Sequence, residues 1–318
     1  MNQPFLPLQT VDRVEILTLM DNYVDVLLGN KDRVTRPLHV RDGIIEENAL
    51  LAEHGLSLLI TVYRGKKTDT ILFDTGYSAV GVLHNMAYLG IQPEDLKILV
   101  LSHGHMDHTG SLYPLIERMA KPMTLVVHPH AFVHPRYIQM PDGEKRQFPR
   151  TLVRDKLIKE GVDIQESTTP VAIADGMVLV TGEVERTTSF EKGMPNAFYI
   201  KDDKPIPDPI WDDQSLILNV KDKGLVVISG CSHAGIINTV LYAKKITGVE
   251  TVYALMGGFH LSGSFFEKII EETILEMLTL NPEVIVPMHC TGWTAIHRFS
   301  DAFPDAFVLN SVGTNIVL

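Results

Sequence analysis

The stretch KILVLSHGHMDHTG, residues 97–110, decides how the rest of the chain is read. Its first half is a short apolar run of strand composition. Its second half, His103-Gly104-His105-Met106-Asp107-His108, gathers imidazoles and a carboxylate into one loop. On a loop leaving a strand, the alternate residues His103 and His105 point the same way and can share one metal ion. Asp107 and His108, at the start of the following helix, reach a second. Such a mixed nitrogen and oxygen set suits Zn, Mn, Fe or Mg and usually keeps an open position for water. The expectation is a metalloenzyme holding one or two divalent ions that activate water or polarise a leaving group.

One loop cannot close a dinuclear site, so further ligands must come from far along the chain. His233, His260 and His289 are the candidates, because each directly follows an apolar strand-like run: LVVISGCSH, VYALMGGFH and VIVPMH. If those strands lie in register with residues 98–101, all three imidazoles emerge at one sheet end. The only two cysteines, Cys231 and Cys290, each lie within two residues of a histidine. They read as neighbours of a metal site and exclude a disulfide framework.

Working outward, strands are expected at 14–20, 56–64 and 70–73, the last ending at Asp74-Thr75-Gly76, with a helix over 78–89 capped by Ser78 and stopped by Gly90. Beyond the histidine loop, a helix over 111–119 and a strand over 123–127 complete a β-turn-α-β pattern that favours helices outside sheets. Strands at 177–181, 215–220, 225–229, 251–255 and 283–286 follow, with helices at 236–246 and 265–280. The polar stretch at about 130–170 reads as an insertion and the proline-rich stretch at about 187–213 as a long irregular loop, within a single domain spanning 1–318. A loop of that length in a compact domain is often functional.

Size and composition narrow the class of partner. A chain of 318 residues buries enough surface that no metal is needed to hold its core, so a bound metal is catalytic rather than structural. The net charge of -11 disfavours adherence to nucleic acid. The basic residues between Arg136 and Lys159 form either an anion-facing lid or a solvated surface. The N-terminus lacks a basic region followed by an apolar run, and no stretch reaches a membrane span, so no membrane partner and a cytoplasmic location are expected. The expected partner is a small molecule, phosphorylated or pterin-like; composition leaves the oligomeric state open.

The LFDTG run at 72–76, the complete HxHxDH loop and the later ligands at strand ends resemble the metallo-β-lactamase superfamily. That resemblance implies an α/β fold, a four-layer αββα sandwich with the metal site at one edge of the two sheets. It also implies that Asp74 orients the loop without binding metal. DNY at 21–23, HGLS at 54–57, TGEVER at 181–186, DDQSL, GCSHAGIINT, GGFHL and HCTG are similar to one subgroup. This subgroup includes the archaeal 7,8-dihydropterin-6-methyl-4-(β-D-ribofuranosyl)aminobenzene-5′-phosphate synthase.

The superfamily's usual third histidine is replaced here by Thr181-Gly182-Glu183, and its usual bridging aspartate by Gly230-Cys231-Ser232-His233. Cys231 as a thiolate bridge, His233 as a terminal ligand, and Cys231 as a buried structural thiol all stay open. His289 matches the final ligand. His260 has no standard counterpart; substrate contact or proton transfer is its expected role, with a structural role as the alternative, and Asp107 joins it as a candidate catalytic residue. Phe190, Phe198, Tyr199, Trp211 and Phe259 are aromatic candidates for stacking a flat heterocycle.

Three functional readings follow from these residues. The first is condensation of a dihydropterin pyrophosphate with a ribofuranosylaminobenzene phosphate, and the second is hydrolysis of a small phosphodiester, lactone or thioester. A non-enzymatic metal-binding sensor is the third, disfavoured by the intact loop. The diiron oxygen or nitric oxide reductases of the same fold typically carry a glutamate at the second histidine position, where this chain has His105.

Overall fold

Alternation along the strands sets the layers. In the strand Ser57–Arg64, Leu58 and Ile60 join one apolar cluster while Leu59 joins another on the opposite face. In Ser215–Val220, Leu216 and Leu218 join that first cluster and Ile217 turns away. Successive side chains of a strand point to opposite faces, so each sheet is apolar on both sides and must be covered twice. The computed structural model, which describes residues 5–318, meets this requirement by stacking two sheets face to face between two layers of helices.

The first sheet runs, in spatial order, Val162–Glu166, Met123–Val127, Ile98–Val100, Lys67–Phe73, Ser57–Arg64, Arg13–Met20, Asn315–Val317 and Val34–Thr35. The second runs Val171–Ile173, Val178–Val180, Ser215–Val220, Gly224–Ser229, Val252–Gly258 and Val284–Met288, with Thr10–Val11 beside Ser215–Val220. Val82, Met86, Leu115 and Leu157 cover the outer face of the first sheet from its helices. Ile236, Val240, Ile274, Met277 and Phe299 do so on the second. This is the expected four-layer αββα sandwich.

Two features place the site. Lys67–Phe73, Ile98–Val100 and Met123–Val127 are parallel, as are Gly224–Ser229, Val252–Gly258 and Val284–Met288. The C-terminal ends of both parallel groups therefore meet along one edge of the sandwich. The strand before the histidine loop lies in the first sheet and the strands before His233, His260 and His289 in the second, so the site draws on the ends of two sheets, as the resemblance implies, and not on the single sheet end that a shared register would give.

Both irregular stretches hold more order than expected. Within 130–170, Arg154–Lys159 and Val162–Glu166 form a helix and a strand that extend the first sheet in parallel beside Met123–Val127. Only Arg136–Gln139 and Lys145–Gln147 stand apart, in a small sheet with Ala197–Lys201 and Lys204–Pro207. The last two form a hairpin inside the presumed loop. Asp202 and Asp203 at its tip have φ of 50° and 59°, the two left-handed residues that a tight hairpin turn requires.

The helix expected from residue 78 begins at Gly81, although Ser78 Oγ still accepts its first N–H at 2.9 Å. Among the described residues no helix is long and apolar enough to cross a membrane; the first four residues of the N-terminal segment read above lie outside those described.

Candidate metal centre

The loop after Ile98–Val100 is held by close backbone approach. A Cβ at Gly104 would lie 2.3 Å from the Ala131 carbonyl oxygen, and one at Gly230 would lie 2.2 Å from Ser102 Oγ, so only glycine fits either place. Asp74, Ser232, His260 and His289 all have left-handed φ, between 46° and 62°. Such backbone is costly for residues with side chains and is maintained where the surroundings fix it.

The donors fall into two sets. His103, His105 and His233 form one, and Asp107, His108, Cys231 and His289 the other; within each set the ligand atoms lie within 4.8 Å of one another and every residue is buried. In the first set His103 Nε2 lies 2.9 Å from His105 Nδ1 and 3.2 Å from His233 Nε2. In the second, Cys231 Sγ lies 3.1 Å from His108 Nε2, and Asp107 Oδ2 lies 3.3 Å from His289 Nε2 and 3.8 Å from His108 Nε2. His289 Nε2 is buried without a hydrogen-bond partner among the described residues.

Burial, followed by the charge of neighbouring histidines, drives His103 and His233 well below the ordinary imidazole pKa. Burial likewise brings His105 and His289 to about 4. These rings are neutral near pH 7, so each has one unprotonated nitrogen to offer, and nitrogens gathered this closely can share a cation. Donor separations near 3 Å also suit a polyhedron with bonds of about 2.0–2.2 Å. The residues therefore fit divalent metal.

The second set is braced differently. Asp74 Oδ2 accepts from His108 Nδ1 at 2.7 Å, which leaves Nε2 free to face the donors, and Asp74 Oδ1 accepts the Ser102 N–H at 2.7 Å. Burial alone would lower His108, but Asp74 and Asp107 outweigh it and raise it to about 9. Burial would raise Asp107, yet His108 and His289 hold it well below the carboxylate range. The Cys231 thiol is pushed well above its ordinary value by burial, so a thiolate here needs a cation beside it.

Of the other expected residues, His260 lies outside both sets. Its ring stands 4.4 Å from that of His233, burial brings it to about 3, and its Nδ1 is buried and unpartnered. Cys290 Sγ faces the Cys231 carbonyl at 3.5 Å. Glu183 joins neither set and lies 3.4 Å from His128 Nε2.

The basic stretch divides. Arg136 is buried, with Nε 3.0 Å from Asp208 and both terminal nitrogens on Asp212, whereas Arg146 pairs with Glu144 at the surface. Among the aromatic candidates, Phe190 and Phe259 line a cavity next to His233, while Phe198 stacks on Tyr137 and Trp211 faces Arg186.

Several neighbours escaped the sequence reading of individual residues. His54 Nε2 lies 3.6 Å from Asp107 Oδ2, with its ring 4.9 Å from that of His289. Asn22 Oδ1 accepts from His289 Nδ1 at 3.1 Å, Asp21 accepts the His289 backbone N–H at 2.8 Å, and Asp212 accepts that of Gly104 at 2.8 Å. Phe148 stacks flat on His105 at 4.7 Å and 10°. The DNY, HGLS and DDQSL motifs hold most of these residues; only their individual roles went unread.

Comparison with known proteins agrees with this geometry. The family model of the metallo-beta-lactamase superfamily matches residues 54–244, which include the first donor set entire and the second except His289. The 7,8-dihydropterin-6-methyl-4-(beta-D-ribofuranosyl)-aminobenzene-5′-phosphate synthase of Methanocaldococcus jannaschii is 33% identical over 266 residues, covering 80% of this chain and 87% of that protein. An uncharacterized protein of the same organism is 34% identical over 266 residues, covering 82% of this chain and 92% of its own length. The crystal structure of Tm1679, a metal-dependent hydrolase of the beta-lactamase superfamily, superposes with a TM-score of 0.72 at 24% identity over 95% of this chain and 98% of that one. From its paired donor sets, its layered fold and these relatives, the chain belongs to the metallo-beta-lactamase superfamily.

Proposed function

We propose that this protein is a metal-dependent transferase that condenses a dihydropterin pyrophosphate with a ribofuranosylaminobenzene phosphate, the whole chain acting as one unit. The observation that carries the reading is the 33% identity to the dihydropterin synthase across 80% of this chain and 87% of that protein. In this reaction the arylamine nitrogen attacks the exocyclic methylene carbon, the carbon–oxygen bond to pyrophosphate breaks, and the nitrogen gives up a proton. Two divalent ions, with Zn, Mn, Fe and Mg as candidates, would supply positive charge for the departing pyrophosphate.

The chain's residues do the rest. His103, His105 and His233 offer neutral nitrogen donors, and Asp107, His108, Cys231 and His289 a set that contains an anion. Asp74 fixes the ring of His108, and Asn22 and Asp21 fix His289. His260, neutral at its depressed pKa, is suited to hydrogen-bond a substrate next to His233. Asp107, held ionised, keeps negative charge on the second set.

The test is elemental analysis of protein purified without chelators, joined to assay of 6-hydroxymethyl-7,8-dihydropterin pyrophosphate with the aminobenzene acceptor. Acceptor-dependent release of pyrophosphate is the expected result. Release without acceptor, or turnover confined to phosphodiester, lactone or thioester substrates, would replace the transferase with a hydrolase. Protein that carries no metal and takes none up would leave neither enzyme standing.

A further inference from the structure

Next to the three-imidazole set lies a cavity of about 180 Å³ lined by Phe190, Phe259, Phe265 and Phe266. His233, Ser232 and His260 also line it, and both imidazoles carry a buried Nδ1 with no hydrogen-bond partner among the described residues. Lys192 and Lys268 belong to the lining too, exposed and without an ion pair among the described residues. Glu191 also lines it, but its carboxylate is occupied by the backbone N–H groups of Ile237 and Asn238 at 2.9 and 2.8 Å and by the Thr188 hydroxyl at 3.1 Å.

The lining thus combines a metal donor and unpartnered imidazole nitrogens with aromatic walls and free positive charge. The wall is partly preassembled, because Phe266 stands edge-on to His260 at 4.3 Å and edge-on to Phe265 at 5.0 Å. An apolar cavity of about 150 Å³ holds one benzene-sized ring, so this one has room for a single six-membered ring and little more. A fused bicyclic heterocycle would have to project its second ring through the open side of the cavity. We infer that this cavity is the subsite for a single-ring aromatic amine, its nitrogen facing His233 and His260 and an anionic substituent facing Lys192 and Lys268. The inference rests on the condensation reading for which of the two reactants sits here, and it assigns that place to the acceptor and not to the pterin.

The probe is 4-aminobenzylphosphonate, titrated calorimetrically into the metal-loaded full chain, with methylphosphonate and p-toluidine as fragments lacking the ring and the anion. The 4-aminobenzylphosphonate should bind at least about tenfold tighter than either fragment. Phe266→Ala should lower its affinity about tenfold, and Lys192→Ala/Lys268→Ala should lower it toward that of p-toluidine, with metal content unchanged in both. If the probe binds no tighter than methylphosphonate and both variants bind it as the unmodified chain does, its anion sits on the metals and the subsite assignment is overturned. If ring-dependent and lysine-dependent binding persists but the unmodified protein fails to turn over the pterin pyrophosphate, the subsite stands and the condensation reading falls.

Discussion

The two donor sets occupy one edge of the sandwich and are built on opposite principles. His103, His105 and His233 form a set of neutral nitrogens, supported by Ser102 Oγ at 2.9 Å from His103 Nδ1 and by Phe148 stacked on His105. Asp107, His108, Cys231 and His289 mix oxygen, nitrogen and sulfur, with Asp74 behind His108 and Asn22 behind His289. The first set has no charge of its own with which to attract a cation. The second has one carboxylate in the set and another directly behind it, two negative charges against the single positive charge of His108, and a thiol that ionises once a cation arrives. Metal should therefore enter the second set first and leave it last, while the nitrogen set, weaker in charge, stays the more open to substrate oxygen atoms.

The harshest test of this asymmetry is Asp107→Ala. It removes the anion from the second set and leaves the nitrogen set intact, so the tighter metal should be lost and the weaker one retained, with turnover falling on the order of 10³. Elemental analysis and steady-state rates check both halves. Retained turnover would mean that the second set is not part of the chemistry.

Asp74→Asn strikes the support and not the donor. Loss of such a partner typically costs about 10–100-fold in metal affinity or activity. It also has a signature in metal-free protein. His108, at about 9 when folded against an ordinary 6.5, contributes stability that is complete below pH 6.5 and is lost as pH rises toward 9. His105 and His289, at about 4, do the reverse: the unfolded chain takes up protons that the folded one refuses, so stability falls as pH drops from 6.5 toward 4. The unfolding temperature of the metal-free protein should therefore peak near pH 6.5. Asp74→Asn should flatten the alkaline limb and spare the acid one. An unchanged alkaline limb would show that Asp74 does not hold the His108 proton.

How much of this was legible follows the distance over which each cue acts. The strands and the packing of helices outside sheets were legible because apolar alternation and the β-turn-α-β order around residues 97–127 are local signals, while the four-layer sandwich came from the resemblance carried by LFDTG and the HxHxDH loop. The division of the histidine loop between two sets was legible because residues two apart on an extended loop face alike. The partners Asn22, His54 and Asp212 were not, since each reaches the centre across tens of residues of chain, and no local pattern says which asparagine or aspartate will face a backbone N–H. Arg136 shows the limit from the other side. Among neighbouring lysines and arginines it reads as a surface charge, and only the fold shows it buried between Asp208 and Asp212.

That buried arginine bears on the nitrogen set alone. Asp212 accepts the N–H of Gly104, the residue between His103 and His105, while its other contacts hold Arg136. Asp212→Asn should weaken metal binding in the nitrogen set by about tenfold and leave the second set near its original affinity. It should also lower the unfolding temperature, because among the described residues Arg136 keeps Asp208 alone as a full countercharge. Stepwise metal removal by a graded chelator separates the two sets. Equal weakening of both would show that the sets do not have separate supports.

Cys231→Ser is the mildest change and probes what makes the second set different in kind. One strand end serves both sets, since Cys231 and His233 leave Gly224–Ser229 two residues apart and diverge, the sulfur to His108 and the imidazole to His103. The thiol is pushed upward by burial, so without metal it is a neutral packing group, and only a cation makes it a thiolate. If sulfur is a ligand, the cobalt-substituted protein should show a sulfur-to-metal charge-transfer band in the near ultraviolet that the serine variant lacks. The second set should then lose about tenfold in affinity for softer ions such as Zn, and less for Mg, which prefers oxygen. If the band is absent from the unmodified protein, and serine leaves stoichiometry and ion preference unchanged, Cys231 only fills space beside Cys290. The two sets would then differ in charge alone, with Asp107 and its neighbour Asp74 carrying the whole of the difference.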